Sequence, residues 1–200
     1  MNNTYKRTSK TTATIISTSD MKEYLRVDND YEDSLIASLV SVAVLNAEKM
    51  MNRDLLLATY ENYRDSINQD LTLRRGEFYS LDKIEYMVDE EYILLAASNY
   101  TVAGDGIFGK IYSIDLNASY DDHPEAIKIT FKAGYGLTAS TIPADIINAI
   151  KAHVAYMYEN RGDTLDIIGQ GYADFEKMKL PITVSLVYSN YRIIDVAGVL

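Results

Sequence analysis

Gly104-Asp105-Gly106-Ile107-Phe108-Gly109 has the G-x-G-x-x-G spacing of a loop that can cradle phosphate. Such a loop needs a helix beginning at the glycines, so that its first N–H groups meet the pyrophosphate. Here Lys110-Ile111-Tyr112-Ser113-Ile114 follows and reads as a strand. Phe108 also imitates the glycine-rich loop of a protein kinase, but no lysine strand, H-R-D loop or D-F-G metal site lies downstream. The glycines are expected to supply positive φ in a β-turn. Asp121-Asp122-His123 places three metal-ligating groups in a row. Adjacent residues rarely converge on one ion, and no second cluster at ligand spacing supports them. A solvated turn before Pro124 is predicted instead, and Asp89-Glu90-Glu91 reads as a hairpin tip. His153 flanks the apolar stripe of a helix and has no serine or acid partner in sequence, so packing or an interface is expected of it. There is no G-x-S-x-G, no H-E-x-x-H and no P-loop. No catalytic set can be assembled: the sequence predicts a protein that is not an enzyme and has no cofactor or metal.

Composition narrows the class further. The 200 residues suffice for one domain, or one domain with an inserted lobe. The absence of cysteine excludes disulfides, thiolate metal sites and a cysteine nucleophile. No apolar run approaches 18 residues, and no apolar segment follows the basic N-terminus. Neither a membrane span nor a secretory signal is expected, and a soluble protein, cytoplasmic at synthesis, is. The net charge of −10 argues against general binding to the nucleic-acid backbone. The charge is uneven, with Lys6, Arg7 and Lys10 opening an otherwise acidic chain. That arm reads either as an interaction tail or as a disordered terminus. The 17 tyrosines suit contact surfaces and half-buried strands alike.

The hydrophobic period then lays out the elements. Residues 19–26 predict a short helix capped by Ser19 or Asp20. Residues 31–52 predict a long one, with Leu35, Ile36, Leu39, Val40, Ala43, Ala47, Met50 and Met51 at spacings of three and four. From about 56 to 135 the period alternates, with short strands at 71–73, 84–88, 92–94, 100–102, 111–114 and 126–131. Residues 143–161 predict a second strong helix, with Pro143 in its first position. Residues 163–180 read as loop, followed by a closing stretch at 182–191 and an apolar tail from Ile193. The fold class is α+β: a small α-helical bundle with an antiparallel β lobe inserted between its main helices. The expected divisions are a basic arm (1–18), N-terminal helices (19–55), the β lobe (56–135), the C-terminal bundle helix (136–165), and a loop with a docking tail (166–200).

The order of several short motifs carries a resemblance. Tyr24-Leu25-Arg26-Val27-Asp28, then Asp33-Ser34-Leu35-Ile36-Ala37-Ser38-Leu39, resembles the opening of the head–tail connector (adaptor) family of tailed bacteriophages. Asn52-Arg53-Asp54-Leu55 is similar to that family's helix end, and Ala133-Gly134-Tyr135-Gly136 to the turn after its last strand. The segment from Ile142-Pro143-Ala144-Asp145 to Tyr158-Glu159-Asn160-Arg161 resembles its final-helix signature. Leu180-Pro181 and Tyr191-Arg192 resemble its C-terminal end. The basic arm and the tail after Arg192 lie outside the pattern.

The resemblance implies a structural virion protein at the neck, made in the host cytoplasm and assembled at the head–tail junction. Its partners would be copies of itself in a ring, a dodecamer matching the portal, then the portal protein, a downstream neck or tail protein, and genomic DNA passing without sequence-specific binding. No membrane is involved. Three contact regions are expected. The first is Lys6, Arg7 and Lys10. The second is Tyr158 and Arg161, which read equally as a subunit boundary or a local helix cap. The third is Tyr191, Arg192, Ile193, Ile194, Val196, Val199 and Leu200, where an apolar tail would add to a sheet edge or enter a partner. Two other readings remain: another tail-completion, stopper or baseplate protein, and a small nucleotide-binding enzyme built on Gly104–Gly109.

Overall fold

The computed structural model describes residues 3–67, 70–104, 106–116, 119–160 and 180–194. The chain forms two compact units: Met1–Ala13, Asn52–Leu137 and Ile193–Leu200 in the first, Thr14–Met51 and Thr138–Arg192 in the second. The first is a β unit and the second a helical one, so the α+β class holds. The insertion is mutual, however. The N-terminal segment and Ile193 both return to the β unit.

The helical unit contains α1 (Thr18–Leu25), α2 (Asp33–Met51), α3 (Ala144–Glu159) and α4 (Ile182–Asn190). Ser17, not Ser19 or Asp20, caps α1, accepting from the Asp20 N–H at 3.0 Å. The cap sits two to three residues earlier than expected, and Asp20 instead occupies the first turn. In α2 the stripe narrows to Ile36, Val40, Ala43, Ala47 and Met51, all buried, while Met50 is turned outward. Each aliphatic side chain removed from water contributes roughly 1.5–3 kcal/mol. By length and composition alone α2 could cross a membrane. Its one-sided stripe and its packing on α1, α3 and α4 make it the core helix of a bundle instead. Pro143 precedes α3 in extended conformation (ψ 135°), one position earlier than expected, and its carbonyl accepts from Ile146 and Ile147. The closing stretch at 182–191 is the helix α4, apolar on all sides, and for that reason it showed no clear period. The predicted loop at 163–180 lies, except for Leu180, outside the described residues.

The β unit holds a five-stranded antiparallel sheet and a three-stranded one. Its strands are β1 (Asn3–Lys10), β2 (Ala58–Arg64), β3 (Leu71–Leu73), β4 (Phe78–Val88), β5 (Glu91–Leu94), β6 (Thr101–Gly104), β7 (Gly109–Tyr112) and β8 (Ile127–Ala133). The spatial orders are β1-β2-β8-β4-β5 and β3-β7-β6. Residues 3–10 are thus not an arm but an edge strand, running from Asn3 opposite Arg64 to Lys10 opposite Ala58. An edge strand open to solvent needs no apolar alternation, so Thr, Ser and Lys concealed it. β2 had also gone unread; its inward positions Ala58, Tyr60 and Asn62 are small or polar. β8 is central and the most buried, and the ring of its Phe131 stacks on Tyr60 at 5.6 Å and meets Tyr5 edge-on at 6.2 Å.

The turns explain the motifs that suggested chemistry. Gly104 and Gly109 are opposite one another in the β6–β7 hairpin. Both lie against the Phe78 ring, and a Cβ added at Gly109 would come within 2.3 Å of it. Positive φ, expected of these glycines, applies to Gly106 (φ 87°), whereas Gly104 and Gly109 are there for room. Asp89 and Glu90, both at positive φ, form the β4–β5 turn. The Asp121 carboxylate accepts from their N–H groups at 3.2 and 2.9 Å, and His123 Nδ1 accepts from Glu125 N–H at 3.1 Å. These groups brace turns.

Gly134, at φ 131°, carries the tightest constraint. A Cβ there would stand 2.5 Å from the Leu56 carbonyl oxygen, which is backbone and cannot swing aside. Gly134→Ala is expected to destabilise the protein by more than about 2 kcal/mol, read as a lower chemical-denaturation midpoint.

Candidate assembly interface

The motif Asn52-Arg53-Asp54-Leu55 organises the β unit. Asn52 takes a left-handed conformation (φ 54°) directly after α2. Its side chain donates to the Ile193 carbonyl at 3.2 Å and accepts from Arg75 at 3.3 Å. Arg53 is buried and donates to the Tyr135 hydroxyl at 2.8 Å. The Leu55 carbonyl accepts from Tyr135 N–H at 3.1 Å, and the Gly136 carbonyl from Leu57 N–H at 2.8 Å. The two motifs that resembled a helix end and a strand-end turn are therefore partners, hydrogen-bonded to each other through backbone and side chain.

Asp54 is only 3 % exposed. Its carboxylate meets Arg7 at 2.6 Å and Lys10 at 3.1 Å, and accepts from the Tyr60 hydroxyl. Burial and the adjacent Asp54 charge push the Tyr60 hydroxyl far above the usual phenol range, so it stays protonated and donates. Two of the three cations expected to reach a partner thus hold β1 to its own chain. Lys6 remains exposed, opposite Glu61 across the strand pair. Composition could not reveal Asp54; the only signal was an acid standing immediately before three leucines.

In the helical unit, the Tyr158 hydroxyl donates to Glu32, tying α3 to the turn before α2. The Tyr191 hydroxyl donates to Asp145 at 2.9 Å, tying the end of α4 to the start of α3. Tyr158 and Tyr191 thus brace the bundle. His153 is buried, with Nδ1 3.3 Å from the buried Tyr188 hydroxyl, and burial holds its imidazole below the usual pKa of 6.5. Arg192 is exposed and, with Lys49, Met50, Tyr188 and Ser189, lines an open depression of about 260 Å³. Ile193 is 4 % exposed and held through its carbonyl by Asn52, so it is no free tail, whereas Ile194 is 70 % exposed. Arg161, Val196, Val199 and Leu200 lie outside the described residues.

Two expectations follow. Replacing Arg7 and Lys10 together with alanine leaves a buried carboxylate without its cations. The cost should be about 2–4 kcal/mol, tempered by the partial exposure of both cations, and measured by denaturant titration. His153 is neutral in the fold and titrates near 6.5 when unfolded. Its contribution is complete above that pH and is lost as the pH falls below it. Between pH 7 and pH 5 the melting temperature of the wild type should fall further than that of His153→Leu.

A sequence model of the head completion protein family matches residues 14–194. No curated protein sequence matches significantly. Among solved structures, the fold is similar to a chain in the virion of a native gene transfer agent, with a TM-score of 0.71, 17 % identity and 97 % of each chain covered. It is also similar to chains in the neck of the empty particle, computed with C6 symmetry (TM-score 0.68, 18 % identity, 98 % of each chain), and of the native particle, computed with C12 symmetry (0.66, 16 %, 98 %). These likenesses concern the fold, and the match along the sequence assigns the family: the chain belongs to the head completion proteins.

Proposed function

We propose that this protein is a subunit of the head–tail connector, a structural ring at the virion neck that joins the capsid to the tail. The observation that carries the reading is the family match over residues 14–194, which spans both units. The fold shared with neck chains of particles computed with C6 and C12 symmetry supports a cyclic assembly. Under this reading copies close into a ring of twelve beneath the portal protein, and the far side receives a downstream neck or tail component. The net charge of −10 suits a passage for DNA, because like charge limits adhesion of the phosphate backbone.

The groups that first suggested chemistry serve turns and packing, which favours a structural role over the nucleotide-binding reading. Lys6, Ile194 and Arg192 are exposed, whereas Arg7, though exposed, is paired with Asp54, and we place partner contacts at those three in preference to Arg7, Lys10, Tyr158 and Tyr191. Val196, Val199 and Leu200 extend the Ile194 contact in this proposal. A stopper or other tail-completion protein would use the same fold at a different height in the particle.

Cryo-electron microscopy of the particle that carries the protein tests the reading. Density for a ring of this fold in contact with the portal is the expected result. Density at the baseplate, or none at the head–tail junction, would overturn it.

A further inference from the structure

We infer that neighbouring copies of this chain join head to tail by seating Tyr31 of one copy in the depression formed by Lys49, Met50, Tyr188, Ser189 and Arg192 of the next. The inference rests on the ring reading above and names the contact that would build it. Tyr31 is 95 % exposed, the most solvated large hydrophobic side chain among the described residues. An aromatic ring so placed keeps its whole apolar surface in water, which is costly unless a partner covers it. Nor is it loosely held. Its N–H donates to the Asn29 side chain at 3.1 Å, and Asp33 N–H reaches the Asp30 carbonyl at 3.3 Å. Lys22 clamps the same turn from α1, 2.5 Å from Asp30 and 2.8 Å from Asp33. The ring projects from a turn fixed before any partner arrives, so little ordering is needed on contact.

The receiving surface has complementary chemistry. The depression of about 260 Å³ has room for one aromatic side chain. Met50, 40 % exposed, offers the apolar contact, and the buried Tyr188 lies behind it. Lys49 and Arg192 stand exposed at its rim, and neither has an acidic partner among the described residues. The turn that carries Tyr31 is acidic: Asp28 is exposed, and the Asp30 carboxylate is 89 % exposed even while paired with Lys22. An acidic turn with an aromatic tip thus complements a basic rim with one exposed methionine inside it.

Position decides the occupant. Tyr31 lies just before the first residue of α2, and Met50 lies in its last turn. A 19-residue helix is about 28 Å long, so one copy cannot fill its own depression. Knob and hole are different surfaces, which makes the contact heterologous, the kind that a closed ring of more than two copies requires.

The chain contains no cysteine, so engineered thiols report without background. The full-length double variant Tyr31→Cys with Met50→Cys, oxidised at high concentration, should give a ladder of covalent oligomers on a non-reducing gel. Either single variant should give no species beyond a dimer. A disulfide within one copy is ruled out by the separation. Negative-stain images of the wild type are recorded in parallel, and far-ultraviolet circular dichroism checks that each variant is folded. Rings with a ladder support both readings. Rings without a ladder overturn this contact and leave the ring standing. A ladder without rings keeps the contact and overturns the ring. Neither one overturns both. As a second arm, Lys49→Glu with Arg192→Glu should abolish ring formation, and rings that persist in this variant would also overturn the contact.

Discussion

A single buried carboxylate sets the terms for the β unit. Asp54 is nearly fully removed from water, and an ion in that position is tolerated only when its charge is met. The chain meets it from two directions, with Arg7 and Lys10 from the N-terminal strand and the Tyr60 hydroxyl from β2. Sheet edge, second strand and the segment following α2 are therefore fixed by one group. The same four-residue segment reaches Tyr135 through Arg53 and the Ile193 carbonyl through Asn52. Both chain-distant ends of the unit converge on it. Motifs that look like a family signature in sequence are, in space, the joint that makes the fold possible.

What could be read from the sequence followed physical visibility. The helix α2 and the strand β8 stood out because their buried faces are apolar and periodic, as Ile36, Val40 and Ala43 show in one and Ile127, Ile129 and Phe131 in the other. β1 escaped because an edge strand carrying Lys6, Arg7 and Lys10 looks like a solvated arm until its partner is known. β2 escaped because Asn62 occupies an inward position and satisfies itself by hydrogen bonds to Asn3 and Thr4 rather than by being apolar. α4 escaped because a helix apolar on every side has no stripe to detect.

The site divided along the same line. Tyrosines were expected to suit contact surfaces, but Tyr60, Tyr158, Tyr188 and Tyr191 direct their hydroxyls within the chain to Asp54, Glu32, His153 and Asp145. Exposure cannot be read from residue type, so Tyr31 was indistinguishable from them in sequence. Long-range pairing was equally invisible: nothing local couples Arg7 to Asp54, 47 residues away. The glycine-rich hexapeptide shows the converse failure. Its spacing matched a nucleotide loop, yet a phenylalanine on β4 explains two of its glycines, because Phe78 leaves no room for a side chain at either.

The interleaving of the two units bears on synthesis. β1 emerges first but must wait for Asp54 and β2, while α2 waits for α3 and α4. Ile193, buried and bonded through its carbonyl to Asn52, is made about 130 residues after β2, a delay of roughly 7–26 s at ordinary rates of translation. Neither unit has its full complement of core residues until that point. A chain broken off early therefore lacks part of both cores and offers no finished surface to a growing assembly.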